Sequence, residues 1–218
     1  MMTKARLPIL LVLFAACTAA LTVQAQDGSG LDARVKRFLD DSRGRWRDMN
    51  VPAVDGQTLH DIIVEHKYTR ALEIGTSTGH SSIWIAWALS KTGGRLITID
   101  IDERRHREAL RNFEEAGLTK YIDARLGDAH ALVPALEGPF DFVFSDADKD
   151  WYKNYLTAVL PKLTVGGCYT THNVSDGRGR RRGAGRDDYY QFLLAQPTLE
   201  TTLDTRGGGL AISYKRKP

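Results

Sequence analysis

From residue 70 onward, short continuous apolar runs alternate with stretches whose apolar positions recur every three or four residues. The runs "RALEIG" (70–75), "RLITIDID" (95–102), "YIDARLGDA" (121–129), "FDFVFSD" (140–146) and "GGCYTTHN" (166–173) read as strands. They are short and bounded by turn residues. Between them, helices are predicted over 80–90, 103–117 (closed by Gly117), 130–136 and 150–163, the last broken at Pro161. Ahead of this core lie a charged amphipathic helix over 31–48, weakened by Gly44, a loop over 49–56 and a helix over 56–66, where Leu59, Ile62 and Ile63 share a face. After it come a helix over 187–195 and a hairpin over 199–215 that turns at Gly207–Gly209. Five strands alternating with helices predict parallel βαβ units: an α/β, doubly wound sheet, mostly parallel, with a C-terminal antiparallel hairpin.

The first 25 residues stand apart from this pattern. Lys4 and Arg6 precede an apolar stretch from Leu7 to Val23, and "VQA" ends at Ala25. A basic start, an apolar middle and an A-x-A-like end predict a signal peptide over residues 1–25, cleaved after Ala25, and a single domain over 26–218. The expectation is export, with an uncleaved membrane anchor or an unused leader and a cytoplasmic protein as the alternatives. Beyond the leader no membrane contact is expected. Without Lys4 and Arg6, the 30 basic residues become 28 against 27 acidic ones. Bulk charge therefore gives no reason to expect nucleic acid. One cysteine, Cys17, lies in the leader and the other, Cys168, in a strand, so no disulfide framework exists.

In a doubly wound sheet, ligands bind at the carboxyl ends of the strands. Those ends carry Glu73–Gly75, Asp100, Gly127–His130, Asp146–Lys149 and His172–Asn173. The first turn, "LEIGTSTGHSS", has Gly75 and Gly79 in G-x-x-x-G spacing, with Ser77 where a dinucleotide fingerprint needs its second glycine. That disfavours a pyrophosphate. Asp100, 25 residues after Gly75, is placed to accept hydrogen bonds from ribose hydroxyls. Such a turn also serves plain helix–strand packing, and such an acid also caps helices. Together they fit a nucleoside ligand without a pyrophosphate, of which S-adenosylmethionine is the common case.

The segments "MNVPAVDGQTL", "LEIGTSTGHSS", "ITIDID", "SDADKDWYKNY" and "GG…THN", in this order, resemble the motifs of the cation-dependent O-methyltransferases of the caffeoyl-CoA and catechol superfamily, from about Met49 to the C-terminal hairpin. The resemblance implies a Rossmann-like methyltransferase sheet and a homodimer. It implies that Met49, Asn50 and Val51 lie over the methionine part of S-adenosylmethionine and that Glu73 holds its amino group. Gly75 and Ser81 would line the turn, Asp100 would take the ribose, and Asp128, Ala129 and His130 would border the adenine. Asp146 would touch both cofactor and metal, and Lys149 would be the general base. The family's second metal pair, Asp-Asn, corresponds here to His172 and Asn173.

The implied reaction explains these residue types. A phenol ionises near a pKa of ~10 and is a poor nucleophile at neutral pH. A divalent cation on two adjacent hydroxyls stabilises the phenolate, and a lysine near that cation releases its own proton more readily and can accept another. Asp146 and Asn173 offer the oxygen ligands that suit Mg²⁺. His172 offers an imidazole, which favours a softer metal such as Mn²⁺ or Zn²⁺. The alternative is a weakened or lost metal site. Asp148 and Asp150 are expected to be solvated or to cap a helix. The five-arginine stretch over 176–188 reads as a surface loop, or as a lid over an anionic substrate. The expected activity is methyl transfer to a hydroxyl of a small, catechol-like aromatic. Metal-independent methylation of another small substrate and non-catalytic cofactor binding are the alternatives.

Overall fold

The computed structural model describes residues 29–46, 49–176 and 186–218. The predicted leader and all but the ends of the arginine-rich stretch lie outside the described residues. Helix α1 covers 29–41 and turns follow to residue 45, so it stops short of the predicted residue 48. Helix α2 (Ala53–His66) starts three residues before its predicted beginning. Pro52 explains this, since its fixed φ of −59° leads into a helix whose first N–H groups need no partner.

The core then alternates as the pattern predicts: β1 (Arg70–Ile74), α3 (His80–Thr92), β2 (Arg95–Asp100), α4 (Glu103–Ala116), β3 (Ile122–Leu126), α5 (Ala129–Ala135), β4 (Phe140–Ser145), α6 (Tyr152–Val159) and β5 (Leu163–Thr171). Helix α7 (Arg186–Leu194) and the strands β6 (Leu199–Asp204) and β7 (Leu210–Lys215) complete it. Pro161 ends α6 in a single 3-10 turn, and β5 begins before the predicted residue 166 and stops at Thr171. His172 and Asn173 therefore stand just past the strand end.

The seven strands form one sheet in the order β3-β2-β1-β4-β5-β7-β6. The first five are mutually parallel; β7 runs antiparallel to β5 and β6 antiparallel to β7. The central strands are buried on both faces, which is why they read as continuous apolar runs. Phe142, Phe144 and Cys168 pack on one side with α1 to α4, while Val143 and Tyr169 pack on the other with α5, α6 and α7. This period-two division places neighbouring residues of one strand in different cores.

The chain reverses direction across the sheet between β1 and β4. At that switch point the backbone is pinned: Asp146 N donates to Ile74 O at 2.9 Å, and Gly75 N donates to Ile99 O at 2.9 Å. Next to it, His172 N donates to Ser145 O at 3.1 Å. The ends of four strands, β1, β2, β4 and β5, are thus held in fixed relation before any side chain is considered.

Candidate active site

A cleft of about 720 Å³ opens at the carboxyl ends of β1, β2, β4 and β5. That is a size usual for small-molecule sites. Of the predicted residues, Asn50, Gly75, Asp100, Asp128, Ala129, His130, Asp146, Lys149, His172 and Asn173 all line it. Val51, Glu73 and Ser81 do not.

The cofactor end is built from the turn after β1. Gly75 has φ +100°, and a Cβ there would stand 2.8 Å from Asp146 O, so the turn can pass this close to β4 only without a side chain. Ser77 also takes positive φ, +48°, and its N–H donates to Asp100 Oδ2 at 2.7 Å. Asp100 Oδ1 accepts from Asp102 N at 2.8 Å. Asp100 therefore staples the turn to the end of β2 and faces the cleft, where each oxygen retains a lone pair for a hydroxyl donor. Asn50 Nδ2 donates to Thr78 Oγ1 at 2.8 Å, which ties the segment before α2 to the same turn. Asp128 caps α5 by accepting from His130 N at 2.9 Å.

Glu73 sits behind this wall. Its carboxylate is fully buried and accepts from Ser81 Oγ at 2.5 Å, from Ser82 Oγ, and from Thr98 Oγ1 at 2.6 Å. Burial raises its pKa to about 7, against the partial opposition of these three hydroxyls. Ser81 is spent on Glu73, and Val51 O contacts His80 Nδ1 at 2.9 Å. These three residues build the wall of the cleft rather than its surface.

The reacting end gathers on β4 and β5. Lys149 Nζ lies 3.4 Å from Asp146 Oδ1, and Tyr152 OH donates to His172 O at 3.0 Å and reaches Asp146 Oδ1 at 3.4 Å. Asp148 caps the turn at Asp150 N, as expected of a capping acid. It also stands 3.2 Å from His130 Nε2. The His130 ring stacks on Trp151, centroids 3.8 Å apart, so Trp151 backs the cleft rather than entering it.

His172 is 4% exposed and lies between two carboxylates. Its Nε2 is 2.9 Å from Asp55 Oδ2. Its Nδ1 is 3.2 Å from Asp146 Oδ2, yet that contact is poorly directed and Nδ1 makes no hydrogen bond. Burial alone would lower the imidazole's pKa, but the two carboxylates outweigh it and raise the group to about 9. Asp146 and Asp55 each act through their close contact with the ring as well as through their charge.

Several contributors were not predicted. Asp55 fell within a stretch read as loop; it is an acid in the first turn of α2, 1% exposed. An acid in a helix's first turn is ordinarily a surface feature, and only its burial shows its role. Ile101, Arg105 and Tyr155 also line the cleft, beside Met49 of the expected Met49–Val51 segment. Met49 and Ile101, each 70% exposed, are the large apolar side chains on its rim.

The fold and cleft define the class: a doubly wound α/β protein with its cleft at the topological switch point of the sheet. The chain belongs to the O-methyltransferase family, whose profile matches residues 30–180. It is 41% identical over 112 residues to a catechol O-methyltransferase of Niastella koreensis, covering 49% of this chain and 50% of that one. It is 34% identical over 134 residues to caffeoyl-CoA O-methyltransferase 1 of Eucalyptus globulus, covering 59% of this chain and 54% of that one. The chain thus spans about half the length of the curated relatives it matches. Among solved structures it resembles the Bacillus cereus O-methyltransferase in complex with SAH, with a TM-score of 0.71, 26% identity, and coverage of 84% of this chain and 91% of that one. It also resembles the Streptomyces achromogenes O-methyltransferase TomG in complex with SAM, with a TM-score of 0.69, 27% identity, and coverage of 84% and 90%.

Proposed function

We propose that this protein transfers a methyl group from S-adenosylmethionine to a hydroxyl of a small aromatic substrate, with a vicinal diol as the best fit, using a divalent cation and Lys149 as base. The observation that carries this reading is the convergence, in one cleft, of the Gly75–Asp100 cradle with Asp146, Lys149, His172 and Asn173. The catechol and caffeoyl-CoA O-methyltransferase relatives support the reaction class and the aromatic substrate.

The residues fit both groups. Gly75 leaves the turn open to close approach, and Asp100 presents acceptors for a ribose. For the cation, Asp146 Oδ2 and the unpartnered His172 Nδ1 stand 3.2 Å apart. Two donors each about 2.1 Å from a shared ion lie about 3.0–3.4 Å from one another. Asn173 adds an amide next to them in the cleft. This set holds one carboxylate and one imidazole, and no group of three or more His, Cys, Asp or Glu side chains suited to a metal occurs among the described residues.

When bound, the cofactor supplies an electrophilic methyl and the cation supplies charge that eases loss of the hydroxyl proton. The protein does the rest. The pinned strand ends hold the two halves of the cleft at fixed separation, which brings oxygen and methyl together without further entropy loss. Lys149 Nζ takes the hydroxyl proton. With the cofactor held by the Gly75–Asp100 cradle, its methyl carbon would pass from sulfur to the deprotonated oxygen, leaving S-adenosylhomocysteine. Asp146, 3.4 Å from Lys149 Nζ, holds the resulting ammonium. Met49 and Ile101 present apolar surface at the rim to a flat ligand.

A second reading keeps methyl transfer without the cation. The His172 ring already lies between Asp55 and Asp146 and can balance their charge itself. One experiment separates the two. Methyl transfer to a panel of catechols is measured after chelation and after readdition of Mg²⁺, Mn²⁺ or Zn²⁺. Activity lost on chelation and restored by a metal is expected; unchanged turnover after complete metal removal would favour the second reading. No transfer to any hydroxylated aromatic under any condition would overturn both.

A further inference from the structure

Asp55 is a buried acid to which methyl transfer gives no task. It lies in the first turn of α2, 117 residues from His172 in sequence and distant from every β-strand end in chain order. Its Oδ2 accepts the Gly208 N–H at 2.7 Å and lies 2.9 Å from His172 Nε2. Its Oδ1 is buried without a hydrogen-bond partner. The turn between β6 and β7 fits closely around this pair: a Cβ on Gly207 would run into the Asp55 carboxylate, and one on Gly208 into the His172 ring. Three separate elements thus close on one carboxylate–imidazole contact.

The contact fixes the imidazole in two respects. A carboxylate only accepts, so Nε2 carries the hydrogen and Nδ1 is the free donor atom of the neutral ring. The ring's rotation is set as well, because Nε2 must reach α2 while Nδ1 is turned to Asp146. Nδ1 and the Asp146 carboxylate oxygen, buried 3.2 Å apart without a well-directed hydrogen bond, are a favourable pair only when a proton or a metal cation lies with them. A carboxylate that orients a ligating imidazole through its other nitrogen is a recurrent device of metal sites, and it raises the basicity of the ligand.

We propose that Asp55 is a positioning residue for the reacting end: it holds His172 with Nε2–H on α2 and Nδ1 beside Asp146, and so makes the cation taken up there one that imidazole binds, such as Co²⁺, Mn²⁺ or Zn²⁺, in preference to Mg²⁺. This rests on the cation-dependent reading above but not on the identity of the methyl acceptor. Imidazole and carboxylate together favour the later first-row ions, whereas Mg²⁺ prefers oxygen ligands and retains its water.

The test uses the purified full chain, stripped with a chelator and titrated with Co²⁺ alone. The visible absorption of the bound ion reports its ligands, and Mg²⁺ serves as the competitor. For the unaltered protein, a Co²⁺ spectrum that excess Mg²⁺ fails to displace is expected. Asp55→Ala should weaken Co²⁺ binding by about 10–100-fold. Asp55→Asn keeps an acceptor for Nε2–H but loses the charge, so it should fall between the two; it also carries the test if Asp55→Ala does not fold. His172→Asp should abolish the preference over Mg²⁺. Titrations are run well below each variant's melting temperature, so a loss of stability alone leaves the spectrum and affinity unmoved. Co²⁺ affinity and spectrum unchanged in both Asp55 variants would overturn the positioning role. Absence of any Co²⁺ spectrum in the unaltered protein would overturn the cation preference, even if methyl transfer is found. Co²⁺ binding as expected without methyl transfer would leave this inference standing and sink the proposed activity.

Discussion

Glu73 and Lys149 show how differently two charged residues of one sheet edge are used. Glu73 is sealed behind the cleft, and its pKa of about 7 exceeds the usual 4.5 because burial disfavours its charge. Its folded-state pKa is raised, so the native state holds the proton more tightly than the unfolded chain. The stabilising contribution is therefore complete below about 4.5 and is lost as pH rises through about 7, a difference on the order of 3 kcal/mol. Glu73→Gln should flatten the stability profile over this window, as read by urea unfolding at a series of pH values. An unaltered slope would mean that Glu73 is not the group responsible. Lys149, by contrast, reaches the cleft and lies 3.4 Å from Asp146. Loss of a general base costs typically ~10²–10⁴-fold in rate. Lys149→Ala should therefore lower kcat by about 100-fold or more with little change in KM, measured by methyl transfer to the best catechol found. A change confined to KM would make Lys149 a binding residue instead.

At the scale of elements, the site depends on pieces that meet it from far along the chain. The turn between β6 and β7 reaches Asp55 through Gly208 N, and α2 reaches β5 through Asp55 and His172. Gly208→Ala would drive a methyl into the His172 ring. Overpacking of this kind costs typically about 1–3 kcal/mol. The expected result is a shift of that size in urea unfolding, and full stability in this variant would show that the turn yields freely. Much of the element order was legible beforehand because strands buried on both faces give unbroken apolar runs. The shorter α1 and the earlier start of α2 were less legible, since helix ends depend on caps and on what the next segment packs against. The site's motifs were visible as polar residues at strand ends. Asp55 was not, because nothing in its own segment distinguishes a buried first-turn acid from a solvated one.

For the whole molecule, the cleft joins four strand ends, so a ligand there couples the two halves of the sheet. A ligand that binds only the native state stabilises it by about 2.7 kcal/mol at 100 times its Kd. S-adenosylhomocysteine at that excess should raise the melting temperature by about 5–10 °C, given roughly 2–4 °C per kcal/mol for a chain of this size. Asp100→Ala, which removes the staple between turn and β2, should abolish most of that shift. An unchanged shift would place the ribose elsewhere. At the other end of the chain, we propose that residues 1–25 direct export and are removed after Ala25. N-terminal sequencing of the mature protein should begin at Gln26, and an intact leader on a cytosolic protein would rule this out.

The sequence alone determined the alternation of strands and helices, the parallel sheet and the edge at which chemistry gathers. These follow from periodicity and from the rule that a doubly wound sheet binds at its strand carboxyl ends, both local in the chain or general to the topology. Tertiary structure decided which of the candidates reach the cleft. It withdrew Glu73 and Ser81 into a buried network and brought Asp55 onto His172 across 117 residues. Burial and partnership at that separation are products of packing, and no pattern within a single segment encodes them.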